Sequence, residues 1–214
     1  VAPRTLPADA PGLFADGIGQ RWAARCAPTY DVKQVKSLAV KGSKAAAHPV
    51  EHGTEWGTVL HMLLEAAMAR PDGNLAPLAA VALDEQGLDP RDAPTAVNVV
   101  RSVMASDLWR RAQASKPCLT EVPIQFLQRD VRPVIVRGVI DLVFREPAGW
   151  VIVDYKTDDR EGEAVEQLVE HYAGQVRLYA EAWADITGEP VVETGLYFVR
   201  TGRYRIVADV PAVP

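Results

Sequence analysis

The chain has 214 residues, 48% of them apolar and 24% charged, which excludes a disordered chain or a coiled coil and provides for one sizeable core. At about 100–200 residues per domain, it is one large domain or one domain with extended arms. The net charge of −5, from 23 basic and 28 acidic residues, argues against a protein that grips nucleic acid by bulk positive charge, but does not exclude an enzyme that meets phosphates through a metal ion.

Residues 1–20 are rich in Pro, Ala, Gly and Asp without a sustained period and read as an arm or linker, so 1–50 is expected to lead into a domain spanning 51–214. The opening VAPRTLPADAPG lacks a basic-then-apolar leader and starts with Val, as a domain cut from a longer protein would. Residues 30–40, YDVKQVKSLAV, mix β-branched residues with helix formers and stay ambiguous, and 41–52 reads as loop. From Thr54, apolar residues recur at helical spacing (Trp56, Val59, Leu60, Leu63, Leu64, Ala67, Met68), which predicts a helix with Thr54 as N-cap and Pro71 as its stop. Its most apolar stretch, VLHMLLEAAMA, is broken by His61 and Glu65. No run approaches the ~18 apolar residues of a membrane span.

Two further helices are predicted at about 75–86 and 91–112, joined at GLDP. The second half changes character. Residues 119–127, 133–145 and 150–156 are β-rich runs, the last two linked by EPAG, a hairpin signal. A helix at about 163–187, closed by Gly188 and Pro190, precedes two more strands, VVETGLYFV and YRIVADV. This order predicts an α/β protein, a mixed sheet covered by helices.

In WVIVDYK side chains alternate, so Asp154 and Lys156 share one face and Tyr155 takes the other. Asp141 lies in the apolar run VIDLVF, where an ionised group needs a partner or a cation. Two aspartates on paired strands beside a lysine make a candidate site for Mg²⁺ or Mn²⁺, with Lys156 placed to act on a water in phosphodiester hydrolysis. The plainer alternatives are a solvated Asp-x-Lys ion pair and, for Asp141, an edge or bulge residue.

These residues resemble the RecB-like branch of the PD-(D/E)XK nuclease superfamily, and within it the C-terminal nuclease domain of AddA/RecB-type helicase–nucleases. The resemblance runs in order through GTEWGTVLHMLLE, LTEVPIQF, RGVIDLVF, WVIVDYKTD and HYAGQVRLYAEAW, covering about residues 50–200. It implies a restriction-endonuclease-like core with a mixed central sheet flanked by helices. It also implies that His61, Asp141, Asp154 and the main-chain carbonyl of Tyr155 hold a metal, and that Lys156 is the catalytic lysine. Gln175 and Tyr179 match the family's Gln-x-x-x-Tyr and are expected to bind substrate or orient the site. Glu121 is expected no closer than behind the ligands. Without the resemblance, His61 reads first as a hydrogen-bonded core histidine, and Tyr179 reads equally as helix packing. Tyr172 and Trp183 follow the apolar period of their helix and read as core. Lys33 stands where the family usually has a serine.

The implied function is a Mg²⁺-dependent DNA exonuclease domain, with Mn²⁺ able to substitute, belonging to a helicase–nuclease of double-strand-break repair and recombination. Its implied partners are single-stranded DNA ends, the helicase domains of a parent chain and a second AddB/RecC-like subunit. No membrane partner is expected. Two cysteines, Cys26 and Cys118, cannot ligate an iron–sulfur cluster and fit a reducing cytoplasm. The Gly-rich Lys-Ser/Thr loop of an ATPase is absent. The rival readings are a stand-alone nuclease of defence or phage origin and a catalytically inactive DNA-guiding module. Every ligand the resemblance implies is present, which speaks against the second.

Overall fold

The β-rich runs of the second half form the spine of a six-stranded mixed sheet. The computed structural model describes Gly19, Trp22 and residues 30–39, 53–128, 133–157 and 163–207. Most of the expected arm over 1–20, the loop over 41–52, Cys26 and the last three residues of YRIVADV lie outside the described residues. The strands are β1 (Asp31–Gln34), β2 (Cys118–Gln128), β3 (Val134–Glu146), β4 (Gly149–Lys156), β5 (Val191–Phe198) and β6 (Arg203–Ile206). The helices are α1 (Val35–Ala39), α2 (Thr54–Ala69), α3 (Ala76–Glu85), α4 (Ala93–Met104), α5 (Asp107–Ala114) and α6 (Glu163–Thr187).

β3 is the organising strand. β2 runs antiparallel along one of its edges. The other edge is divided: β1 pairs parallel with Val134–Arg137, and β4 pairs antiparallel with Leu142–Glu146. β4 and β5 are parallel and joined through α6, because a parallel pair needs a long crossover. β6 closes the far side, antiparallel to β5. EPAG forms the expected hairpin, with Glu146 paired to Gly149.

The sheet separates two helical layers. Helices α2 to α5 cover one face through Leu60, Leu63, Val100 and Trp109, packed on Leu142, Phe144, Val153 and Tyr197. On the other face, α6 packs Tyr179 and Trp183 against Val136, Ile140 and Ile152, and Val176 against Leu196 and Phe198. Leu63 is fully buried, and its truncation to Ala is expected to cost about 2–5 kcal/mol. Among the described residues, no helix is long and apolar enough to cross a membrane.

Several boundaries differ from expectation for local reasons. The segment 30–40 resolves into β1 and α1, elements too short to display a period, and both join the packed unit although they precede residue 51. Thr54 is the first helical residue rather than the cap; Gly53 occupies that position without a side-chain bond. The helix expected over 91–112 is two, because the Ser106 side chain accepts a hydrogen bond from the Trp109 N–H and starts a new helix there. The final strand starts one residue before YRIVADV, at Arg203, and ends at Ile206. Helix α6 ends as expected: Gly188 takes left-handed backbone (φ 69°) and its N–H donates to the Ala184 carbonyl at 2.8 Å.

Candidate active site

β3 and β4 stay in register back to Leu142 opposite Val153, and there the pairing stops. The next positions on the two strands are Asp141 and Asp154. In place of a ladder bond, the Tyr155 N–H donates to Asp141 Oδ2 at 2.7 Å. β1 occupies the same edge of β3 only as far as Arg137, so residues 138–141 face a fork between β1 and β4. A cleft of about 410 Å³ opens at this fork.

A matched irregularity in β2 and β3 turns further carboxylates toward it. Up to Ile140, Val134, Val136 and Ile140 pack toward α6; past Asp141 Val143 does so, while Leu142 and Phe144 pack toward α2–α5. β3 therefore changes face at Asp141. β2 changes face opposite, at Glu121, which takes left-handed backbone (φ 49°) and has no ladder partner. Such a backbone costs a non-glycine residue about 1–2 kcal/mol and is typical of functional positions.

From α2, His61 reaches down to both groups. Its Nδ1 lies 3.1 Å from Glu121 Oε1 and 3.5 Å from Asp141 Oδ1, and its ring meets Tyr155 edge-on at 5.9 Å. Burial opposes the charged imidazole, but the carboxylates of Asp141, Glu121 and Asp154 outweigh it and raise the His61 pKa to about 9. Asp141 is pushed up to about 7 by burial first and by Asp154 second. Protons are thus held where a cation would relieve the same repulsion.

Asp154 and Lys156 face the other layer, as alternation predicts. Lys156 Nζ lies 2.6 Å from Asp154 Oδ2 and donates to Gln175 Oε1 at 3.1 Å. Gln175 Nε2 donates to Asp154 Oδ1 at 2.7 Å and to the Tyr179 hydroxyl at 3.1 Å. One amide on α6 therefore ties the carboxylate and the ammonium together, since Gln175 and Tyr179 lie one turn apart. Tyr179 passes over Gly138, where a Cβ would stand 2.7 Å from Tyr179 Cε1 and 2.9 Å from Val35 Cγ2. Glycine at 138 makes room for that ring.

The donor set fits a hard divalent cation. His61, Glu121 and Asp141 each place a ligand atom within 4.8 Å of the others. Asp154 Oδ2 is buried without a hydrogen-bond donor in good geometry among the described residues, although the Lys156 ammonium lies close. Three carboxylates facing one ammonium and one imidazole leave acidic excess in a buried place, which a cation offsets.

The site residues named from sequence meet around this fork: His61, Glu121 and Asp141 form one group, Asp154, Lys156, Gln175 and Tyr179 form another on the α6 side, and Tyr155 joins the first through its N–H to Asp141 and its ring against His61. Glu121 meets the His61 ring at 3.1 Å, the place of a group behind the ligands, and its carboxylate also lies within reach of the His61–Asp141 pair. Trp183 is core, stacked edge-on against Trp150 at 5.2 Å. Tyr172 is not simply core: its ring covers the Lys156 ammonium with Nζ 4.0 Å from the centroid. Lys36, Thr58, Thr157 and His171 also line the cleft, and sequence reasoning passes over them. The one available signal is position: Thr157 follows Lys156, and Thr58 lies three residues before His61.

The profile of the family described as the PD-(D/E)XK nuclease superfamily matches residues 22–212. Among curated proteins, the chain is 48% identical over 66 residues to an ATP-dependent helicase/nuclease subunit of Carboxydothermus hydrogenoformans, covering 31% of this chain and 6% of that protein. It is 32% identical over 168 residues to the subunit of the same name from Geobacillus thermodenitrificans, covering 70% of this chain and 13% of that protein. The corresponding subunit of Heliobacterium modesticaldum is 30% identical over 171 residues, covering 70% and 12%. The chain thus spans only a small fraction of the length of these relatives.

Proposed function

The chain belongs to the PD-(D/E)XK nuclease superfamily, and from that membership we propose that it is the metal-dependent DNA exonuclease domain of an ATP-dependent helicase–nuclease acting in double-strand-break repair and recombination. One observation carries this reading: Asp141 and Asp154 occupy the first positions past the end of the β3–β4 pairing, with His61 beside Asp141 and Lys156 beside Asp154. Mg²⁺ is the proposed cation, with Mn²⁺ able to replace it. His61, Asp141, Asp154 and the Tyr155 carbonyl would hold it, with Glu121 next to His61. When bound, the cation supplies Lewis-acid polarisation of a phosphoryl oxygen and a more acidic water.

The remaining work falls to protein groups. Lys156 presents an ammonium that orients the attacking water and offsets charge on the phosphate. Gln175 fixes Lys156 relative to Asp154, and Tyr179 fixes Gln175. The substrate is single-stranded DNA ends, and the partners are the helicase domains of a parent chain and a second AddB/RecC-like subunit, in the cytoplasm. A domain of net charge −5 attracts DNA poorly by itself, so a neighbouring motor that delivers the strand raises its effective concentration.

The test is a time course on labelled single-stranded and blunt duplex DNA at low salt, with Mg²⁺ or Mn²⁺ and with or without ATP. Slow, metal-dependent, ATP-independent cleavage of single strands is expected, with duplex cut far less. Duplex cut as fast as single strands would favour a stand-alone nuclease. No cleavage of either at high enzyme and Mn²⁺ would defeat the enzymatic reading.

A further inference from the structure

The apolar period of α6 assigns Tyr172 to the core, and part of the ring does pack there, beside the cluster of Val165, Val176 and Phe198. Its face, however, lies over Lys156, with Nζ 4.0 Å from the ring centroid. An ammonium has three N–H bonds to place. Gln175 Oε1 accepts one at 3.1 Å, Asp154 Oδ2 lies 2.6 Å away, and the electron-rich face of Tyr172 fills the third direction.

These three partners differ in their other commitments. Asp154 also accepts from Gln175 and is a proposed cation ligand, so its charge has a competing use. Gln175 is tied to Asp154 and Tyr179 and shares whatever happens to the carboxylate. The Tyr172 ring meets the ammonium directly, by a contact that does not run through that carboxylate. It is held edge-on by His171 at 4.8 Å and by apolar neighbours on α6 and β5.

We propose that Tyr172 is a positioning residue whose aromatic face keeps the Lys156 ammonium in the cleft when Asp154 directs its charge to a cation. The proposal rests on the nuclease reading for its purpose, but the contact itself is measurable without catalysis. The ring, not the hydroxyl, does the holding, so Tyr172→Phe preserves the arrangement and Tyr172→Leu removes it while keeping an apolar side chain.

Two readouts decide the matter. In metal-free protein, the ε-methylene protons of Lys156, identified by their loss in Lys156→Ala, should show an upfield ring-current shift that Tyr172→Phe keeps and Tyr172→Leu loses. In single-stranded DNA cleavage with Mn²⁺, Tyr172→Phe should match the parent, while Tyr172→Leu should lose about tenfold in kcat with unchanged KM, metal affinity and thermal midpoint. If the parent cuts no DNA, the nuclease reading fails and the ring-current shift alone decides the contact. A missing shift in the parent, a Phe variant as impaired as the Leu variant, or a Leu variant altered in KM alone would overturn the proposal. The last result would make Tyr172 a surface on which DNA bases stack.

Discussion

On α5, Arg111 donates to Glu146 through Nε and Nη2 at 2.9 and 3.2 Å and to Glu193 through Nη1 and Nη2 at 2.9 and 3.2 Å, and the Tyr204 hydroxyl donates to Glu193 at 2.8 Å. The cleft is assembled from similar groups, carboxylates, a cation and a tyrosine, yet it ends differently. Around Arg111 each carboxylate has its donors, the guanidinium is held more firmly protonated than usual by its two glutamates, and the groups are partly exposed. Around Asp141 the groups are more deeply buried, the carboxylates outnumber the fixed cations, and His61 and Asp141 retain protons beyond their ordinary range. A satisfied cluster ties elements together, whereas an unsatisfied one is a place for a ligand.

The largest expected effect breaks the second cluster. Lys156→Ala should lower single-stranded DNA cleavage roughly a hundred- to a thousandfold, by analogy with removal of one charge-stabilising group, while Mn²⁺ titration and circular dichroism remain as in the parent. Asp154→Ala should lose metal affinity as well as activity. Parental cleavage by Lys156→Ala would remove the lysine from the mechanism.

Next comes Gly138→Ala, which tests whether Tyr179 and Gln175 transmit position to the site. The added methyl overpacks against Tyr179 and Val35, at about 1–3 kcal/mol, so both thermal stability and kcat should fall. A destabilised protein with parental kcat would separate Tyr179 from catalysis.

The raised pKa values sharpen the contrast further. His61 goes from 6.5 to about 9, so its contribution to stability is complete below pH 6.5 and is lost as pH rises through about 9. Asp141 goes from 3.8 to about 7, so its buried acid form favours folding at low pH, and that advantage disappears as pH rises from 3.8 through about 7. Both groups act in the same direction, because the folded state binds more protons. The thermal midpoint in EDTA should therefore fall between pH 5 and 9, and saturating Mn²⁺ should flatten or reverse the slope. A midpoint that rises with pH in EDTA would contradict the charge excess.

The smallest effect belongs to the satisfied cluster. Arg111→Ala should cost about 1–2 kcal/mol, since its pairs are partly exposed and screened, and should leave kcat unchanged. A calorimetric scan beside a cleavage assay checks both halves of that expectation.

How much of this is legible in the sequence follows from how far each signal reaches. Period-two alternation places Asp154 and Lys156 on one face, and the Gly188–Pro190 stop ends α6 where the structure ends it. His61 reads ambiguously from its apolar stripe, and only the resemblance singles it out. The contact of Glu121 with His61 is not readable from alternation, which assumes an unbroken strand, and nothing local marks left-handed backbone at a glutamate. Tyr172 misleads for the opposite reason: it obeys its helical period, but the period does not say that the facing residue is a lysine. Ser106 passes unnoticed, since a single serine between helix formers announces a cap only once the backbone has bent.

β4 is buried at every one of its eight residues. Its central amides, bonded to β3 and β5, should exchange with solvent only when the whole domain unfolds, on the slowest timescale available to the chain. Asp154 and Lys156 therefore ride on the segment least subject to breathing. The five-residue α1, which brings Lys36 to the cleft, belongs to the readily opened end of that hierarchy. Isotope labelling should thus resolve a fixed chemical floor beneath a wall that opens and recloses many times before the floor exchanges once.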